Sequence, residues 1–534
     1  MCARPAGRID WPVLELEIPT TSPAAVGTPA FAIWRDLARA NRAALDASTV
    51  EVAGIRLGDL RREMRRELLP LAAAYTRGLG VAAPEPGEDL VLATGHQPVL
   101  VHPGIWIKYL ALSRLMTAGS TGLNLIVDSD AIDEIAAEVP RADGRLERVR
   151  VPLATAAPEV PAEALDAPTA AQWRDFVTAI DGHMATIGQP EVTEAWRRAR
   201  TMPVPPERAG LPGAVTAMRR ALEGPRPYVD LPVSHLARTA GFRRFVTAIL
   251  LDARRFAALH NACLAAYRDH YGVRTAAQPF PDLTVEAGHV EAPFWWIANG
   301  RRYPLVADPD ARRLRADGRE VGPLPRDPDD PALAWSQIRP RALTLTAFAR
   351  LVLADLFIHG IGGGRYDRAT DAIVREFFGM TPPAYATATA TLFLPFANGG
   401  RPDDARRQLQ RTLLDLQHNP DRFLPTDDGP HRELVAEKWS LIRQLEAATD
   451  LTRRQRRAAT QRIREINLIL QVAVAGRVAE VQDAARRLDA QHDDAEVTAF
   501  RGYPFLFFPV EAVEALVDLL AGSATAARAD GMRE

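Results

Sequence analysis

Apolar residues recur every three or four positions through residues 29–79, as Phe31, Trp34 and Leu37 and then Leu57, Leu60, Met64 and Leu68. That period predicts helices up to the Pro/Gly-rich stretch at 83–87. The period then changes. Residues 89–93 form a short apolar run and 94–104 a polar loop rich in Gly, Pro and His, while 105–118 read as a helix with Ile105, Tyr109, Leu112 and Met116 on one face. A second apolar run at 123–127 leads into Asp128 and Asp130. Strand, helix and strand at this spacing make the unit of a right-handed parallel crossover. The expected fold class is therefore α/β, with a Rossmann-type parallel sheet at its centre.

Beyond this unit, residues 141–232 are rich in Ala, Pro and Arg with short helical runs, and read as an insertion packed on the sheet. A long helix is expected at about 240–270, with Phe245, Ile249, Phe256 and Leu264 on its buried side. Strands are expected at 294–297 and 302–306, followed by a charged, Gly/Pro-punctuated meander to about 330. The apolar residues 342–358 lead into a glycine-rich turn at 359–364 and a helix at 368–378, which implies a second half of the sheet. Segments 432–448 and 451–491, linked at Thr449 and Asp450, predict an antiparallel helical hairpin of coiled-coil type. A closing strand at 503–510 and a helix at 511–520 complete the pattern. The division expected is a helical N-terminal region at 1–87, a core at 88–400 and a helical C-terminal region at 401–534.

Composition narrows the classes of function. A chain of 534 residues is too long for one core, and its net charge of −2 gives no field to hold a polyanion, so nucleic acid is not an expected partner. No apolar run approaches the roughly 18 residues that cross a bilayer, and the first residues lack the order of a signal peptide, so no membrane is expected and the cytoplasm is the expected compartment. Cys2 and Cys263 are the only cysteines, which excludes a disulfide framework or a cysteine-rich metal site. Of 65 basic residues only Lys108 and Lys438 are lysines. A lysine offers a compact, titratable ammonium that guanidinium does not imitate, so Lys108 is marked for a specific role. Lys438, between Glu437 and Trp439, reads as facing solvent or else an acidic ligand.

The chemistry concentrates in two loops, 94–104 and 359–367, which are expected to share one ligand site. Thr94, Gly95, Gln97, Gly104 and Lys108 are candidates to hold a carboxylate or phosphate, because a loop between a parallel strand and a helix presents free backbone N–H groups and a positive dipole end. His96 and His102 add groups whose ordinary pKa lies near neutrality, suited to proton transfer. Asp128 and Asp130 follow the next strand, where carboxylates grip an amine or a divalent cation or else cap a helix. In the second loop, His359, Gly360, Gly362, Gly363, Gly364, Arg365, Tyr366 and Asp367 suit a diphosphate or ribose, since dense glycine is tolerated where φ is positive or a ligand nears the backbone. The loop lacks the Lys-Ser/Thr of a P-loop and the dinucleotide spacing. Glu291, beside the aromatic Phe294, Trp295 and Trp296, is a further candidate for an amine or hydroxyl.

In the order of its parts the chain resembles the bacillithiol-biosynthesis cysteine-adding enzymes, relatives of class I aminoacyl-tRNA synthetase catalytic domains, over about residues 88–520. Thr94-Gly95-His96-Gln97 and His102-Pro103-Gly104 look like that family's Thr-Gly-Gln-Gln and Thr-Gly-Pro. Asp128-Ser129-Asp130 with Asp133-Glu134 stands where the family has an acidic strand end, and 360–364 where it has a Gly-Gly-Pro-Gly turn. His96 replaces a family glutamine, the family's acidic-motif histidine is missing, and two lysines leave no lysine-rich signature loop. The resemblance implies a Rossmann core, an inserted connecting region, a helical hairpin arm, and a ligase that joins an amino acid such as cysteine to a small amine or amino-sugar. ATP, ADP and Mg are the cofactors to consider, and a homodimer through 432–491 is the protein partner to consider. Two other readings stand beside it: a non-catalytic nucleotide- or metabolite-binding protein with a partner-binding arm, and a phosphosugar hydrolase or transferase.

Overall fold

The strands Leu90–His96 and Ser120–Ile126 are buried on both faces over most of their length, as parallel strands between helices must be. A computed structural model describes residues 16–143, 145–202, 209–273, 280–396, 403–424, 431–447 and 453–522. The chain forms two compact units, one of 1–139, 149–395 and 501–534, the other of 140–148 and 396–500.

The first unit is a mixed α/β structure around a six-stranded sheet ordered Ala24–Thr28, Ala386–Thr391, Leu356–His359, Leu90–His96, Ser120–Ile126, Tyr228–Pro232. The last five strands run parallel, and Ala24–Thr28 closes the edge antiparallel to Ala386–Thr391. Counted along the chain, the parallel strands lie in the order third, second, first, fourth, fifth. The winding direction thus reverses between Leu90–His96 and Leu356–His359, the position at which open α/β sheets offer a crevice at the carboxyl ends of their strands. Val91, Ala93, Leu123, Leu125, Val229, Leu231 and Phe357 join one core with Leu60, Met64 and Leu68 of the Leu57–Gly78 helix. The opposite face meets Pro103–Leu115, where Gly122 lies against Met116 and Leu112.

Several elements differ from the sequence reading. Tyr228–Pro232, taken as the end of an insertion, is the edge strand of the sheet. The expected helix at 240–270 is two, Ala240–Leu251 and Ala253–Tyr271, broken where Asp252 leaves helical geometry. The meander is the distal part of a second, antiparallel sheet that includes His289–Ala298, Arg301–Asp308, Arg313–Ala316 and Arg319–Pro323. Residues 503–510 form no strand but a 3-10 turn, Phe505–Phe507, followed by the Val510–Gly522 helix.

In the second unit, Asp403–His418 packs with Ala475–Thr498, and Arg432–Ala447 with Arg453–Ala473. Leu416, Val474 and Val481 form a small core. The segment expected as one arm at 451–491 is interrupted by a turn at Val474, so it serves two helix pairs rather than one hairpin. Thr449 and Asp450, the expected link, and Cys2 lie outside the described residues. Lys438 does not face solvent. It is buried against Asp421, whose other carboxylate oxygen accepts from Trp439 Nε1 at 3.1 Å, so this lysine is held for structure.

Candidate functional site

The two strands flanking the winding reversal are tied together where the site begins: Thr94 Oγ1 donates to the Ile358 carbonyl at 2.7 Å. Lys108, one turn into Pro103–Leu115, reaches back to the first loop and donates from Nζ to the Gly95 carbonyl at 2.8 Å. Its stem also passes beneath the second loop, since a Cβ on Gly360 would lie 3.9 Å from Lys108 Cδ. One side chain therefore joins both loops. Lys108 is 2% exposed, and burial, reinforced by Arg219, brings its pKa down to about 7. Among the described residues no carboxylate pairs with it.

The two histidines are fixed in opposite tautomers. His96 Nδ1 lies 3.1 Å from the Gln97 carbonyl, so that nitrogen carries the hydrogen and Nε2 is left as an acceptor. His102 caps the helix with Nδ1 accepting from Gly104 N–H at 3.1 Å, so its Nε2–H is left as a donor. Both imidazoles are half-buried at the surface yet hemmed in by protein. Burial first, then Lys108 and the other imidazole, lowers His96 to about 3; burial, Arg501 and Lys108 lower His102 to about 4. The expectation that they titrate near neutrality is corrected: they are neutral hydrogen-bonding groups.

The free N–H groups are not at the first helix either. Pro103 has none, Gly104 N–H is taken by His102, and Ile105 and Trp106 both donate to the His102 carbonyl at 2.9 Å. They are at the second loop. Gly360 is the N-cap of Ile361–Phe378, and the helix absorbs the remaining glycines without positive φ, so of the two reasons expected for the run, positive φ does not apply. Gly364 N–H bonds Gly360, while those of Ile361, Gly362 and Gly363 have no acceptor among the described residues. Close approach explains part of the glycine run: a Cβ on Gly364 would stand 2.3 Å from Thr387 Oγ1, and one on Gly363 2.9 Å from His359 Nδ1.

His359 and Asp367 belong to the scaffold. His359 Nε2 meets Asp367 Oδ2 at 2.9 Å, and Arg350 donates to the same oxygen at 2.5 Å. Burial would raise Asp367, but Arg350 and His359 outweigh it and hold the carboxyl well below its usual range. Arg365 and Tyr366 are exposed on the helix, and Tyr366 turns toward Phe280 with ring centroids 5.7 Å apart.

Asp128 and Asp130 do not act as a pair. Both oxygens of buried Asp128 accept from Ser234, its N–H at 2.9 Å and Oγ at 2.6 Å, while burial and Glu163 push its pKa up to about 7. Asp130 accepts from Gln97 Nε2 at 2.8 Å and lies 3.8 Å from Arg302. Among the described residues no group of three or more His, Cys, Asp or Glu side chains is placed to hold a metal ion. Glu291 lies in the antiparallel sheet and takes a 2.5 Å bond from Arg341. Burial would raise it, yet Arg341 and the Thr284 N–H bring it below its ordinary value. The guanidinium carbons of Arg341 and Arg302 lie 4.0 and 4.5 Å from the Trp295 ring centre. Gln97, Asp130, Arg302, Trp295, Arg341 and Glu291 thus form a continuous chain of contacts from the first loop to the second sheet.

The chain matches no family model and no curated protein. Function is therefore argued from the site.

Two groups of residues escaped the sequence reading. Arg501 donates to Thr389 Oγ1 at 3.0 Å and to the Ala390 carbonyl at 2.7 Å, and its Nη2 lies 2.3 Å from where a Cβ on Gly104 would be. Nothing in its local sequence signals this position. Behind Lys108, Arg219 joins Glu223 at 2.6 Å and Asp230 at 3.1 Å and lies over the Tyr109 ring, within a buried network that also includes Trp106 and Asn124. Paired spacing of Arg219 and Glu223, four apart on one helix, was the available sign.

Proposed function

We propose that the crevice between Leu90–His96 and Leu356–His359 binds the substrates of an amide-forming ligase, which joins an amino acid, cysteine or a similar one, to a small amine or amino-sugar on a Rossmann-type core. The observation that carries the reading is Lys108: a buried ammonium with no carboxylate partner among the described residues, shared by the two loops where the strand order reverses. An anionic substrate group restores the charge on Lys108, and the N–H groups of Ile361, Gly362 and Gly363 supply further donors. His102 offers Nε2–H to the anion. His96 offers its Nε2 lone pair to an N–H of the attacking amine, orienting it as the carbon–nitrogen bond forms, the bond to the activating group breaks and the amine proton leaves. Activation of the carboxyl needs a co-reactant of the nucleoside triphosphate class.

Purified protein incubated with cysteine and glucosaminyl-malate, with and without ATP and magnesium, tests this by mass spectrometry. A cysteinyl product that disappears in His96→Ala and Lys108→Met, both still folded, is the expected result. Turnover unchanged in both variants would sink the assignment. A second reading, a metabolite-binding protein without chemistry, is favoured by one observation: neither imidazole titrates near pH 7. It expects saturable ligand binding and no product.

A further inference from the structure

Several buried or half-buried arginines of the first unit are matched by carboxylates. Arg61 and Arg65 meet Asp355, Arg219 meets Glu223 and Asp230, Arg339 meets Glu163, Arg341 meets Glu291, and Arg350 meets Asp367 and Asp371. Among the described residues, half-buried Arg501 donates only to neutral oxygens, and its buried Nε has no acceptor. It is pressed against the start of Pro103–Leu115, the positive end of a helix with no acidic residue in its first turn. A cation there is repelled by the helix dipole. Lys108 lies one turn away and is also without a carboxylate, and His102 feels both charges.

We propose that Arg501, Lys108 and the Nε2–H of His102 bind a phosphate group, resting on the reading that this crevice holds the ligand. The charge count favours phosphate over carboxylate: two cations match a dianion, while a carboxylate leaves one charge unmatched. Gly104 is needed because any side chain at that position would displace Arg501.

The test is calorimetric titration with inorganic phosphate, glucose 6-phosphate and acetate, on the full chain and on Arg501→Gln, Arg501→Lys and the surface variant Arg114→Gln. Expected is saturable phosphate binding, weaker by roughly tenfold or more in Arg501→Gln, partly kept in Arg501→Lys and unchanged in Arg114→Gln. Tighter binding of glucose 6-phosphate than of inorganic phosphate assigns the group to a phosphorylated metabolite, and the reverse to the free ion; both support the site. Equal binding of acetate, or full binding in Arg501→Gln, overturns it. Should Arg501→Gln fail to fold, phenylglyoxal labelling of the unmodified chain decides: phosphate must protect the Arg501 peptide, and lack of protection overturns the proposal. None of these readouts depends on turnover, so failure of the ligase reading and failure of the phosphate site remain separate.

Discussion

The same two strands, Leu90–His96 and Leu356–His359, have opposite electrostatics at their two ends. At the amino ends, Asp355 is wholly buried: one oxygen takes Arg61 at 2.6 Å and Arg65 at 2.7 Å, and the other accepts from Val91 N–H at 2.8 Å. Arg61 and Arg65 also bond the carbonyls of Leu351 and Leu353. At the carboxyl ends, Lys108 and Arg501 have no acid among the described residues, and burial holds His96 and His102 neutral. The first arrangement closes the charges on one another. The second leaves them for something outside the chain, which is why burial there cannot be explained by stability alone.

Removing the acid at the closed end is expected to have the largest effect. Asp355→Ala leaves buried Arg65 without its carboxylate and Arg61 with only Asp46 at 3.7 Å, a loss of about 3–5 kcal/mol. Urea unfolding followed by circular dichroism would show it as a large drop in midpoint or as failure to fold. A midpoint within about 1 kcal/mol of the parent would mean that this network does not hold the strand ends.

Next in size is Gly364→Ala, since the new methyl would stand 2.3 Å from Thr387 Oγ1. The expected loss is about 1–3 kcal/mol. Thr387→Ala in the same chain should recover most of it, because the two positions share one contact. No recovery would place the strain elsewhere in the helix.

At the open end the sign reverses. The folded-state pKa of Lys108 is lowered from 10.5 to about 7, so between those values the unfolded chain holds a proton that the folded chain sheds. Stability on this account rises with pH from about 7 to 10.5 and is flat below 7. Lys108→Met removes that dependence. At pH 7 the variant should be at least as stable as the parent, by up to about 2 kcal/mol, while losing anion binding. Thermal melts at pH 7 and 10 would check it; a variant that melts well below the parent at pH 7 would make Lys108 a structural residue like Lys438.

What the sequence revealed follows from how local each signal is. The first strand, its loop and its helix are contiguous, so their apolar periods and polar loop could be read together, and both crevice loops were found. Tyr228–Pro232 was missed because Asp230 interrupts it, and that charge is matched by Arg219 and Arg220 on a helix and by Asn124 on the next strand. Ala386–Thr391 is alternating Ala and Thr, which gives no apolar contrast although all six residues are buried. Arg501 comes to the crevice from more than a hundred residues beyond Ala390, a contact no local pattern can announce.

The smallest effect separates the two explanations for the glycine run itself. Gly364 and Gly363 are constrained by neighbours, but a Cβ on Gly362 meets nothing within 4 Å, and its backbone is in the first turn of a helix at negative φ. Conformation therefore gives no reason for glycine there. Gly362→Ala should raise stability by about 0.5–1 kcal/mol, because alanine loses less freedom on entering a helix. If stability rises while phosphate or substrate binding weakens, the glycine was kept so that a ligand could reach the N–H groups of Ile361–Gly363, and the open end of the sheet extends across both loops. If stability rises and binding is untouched, the ligand is held by Lys108 and Arg501 alone, and the contrast between the two ends of the sheet narrows to two side chains.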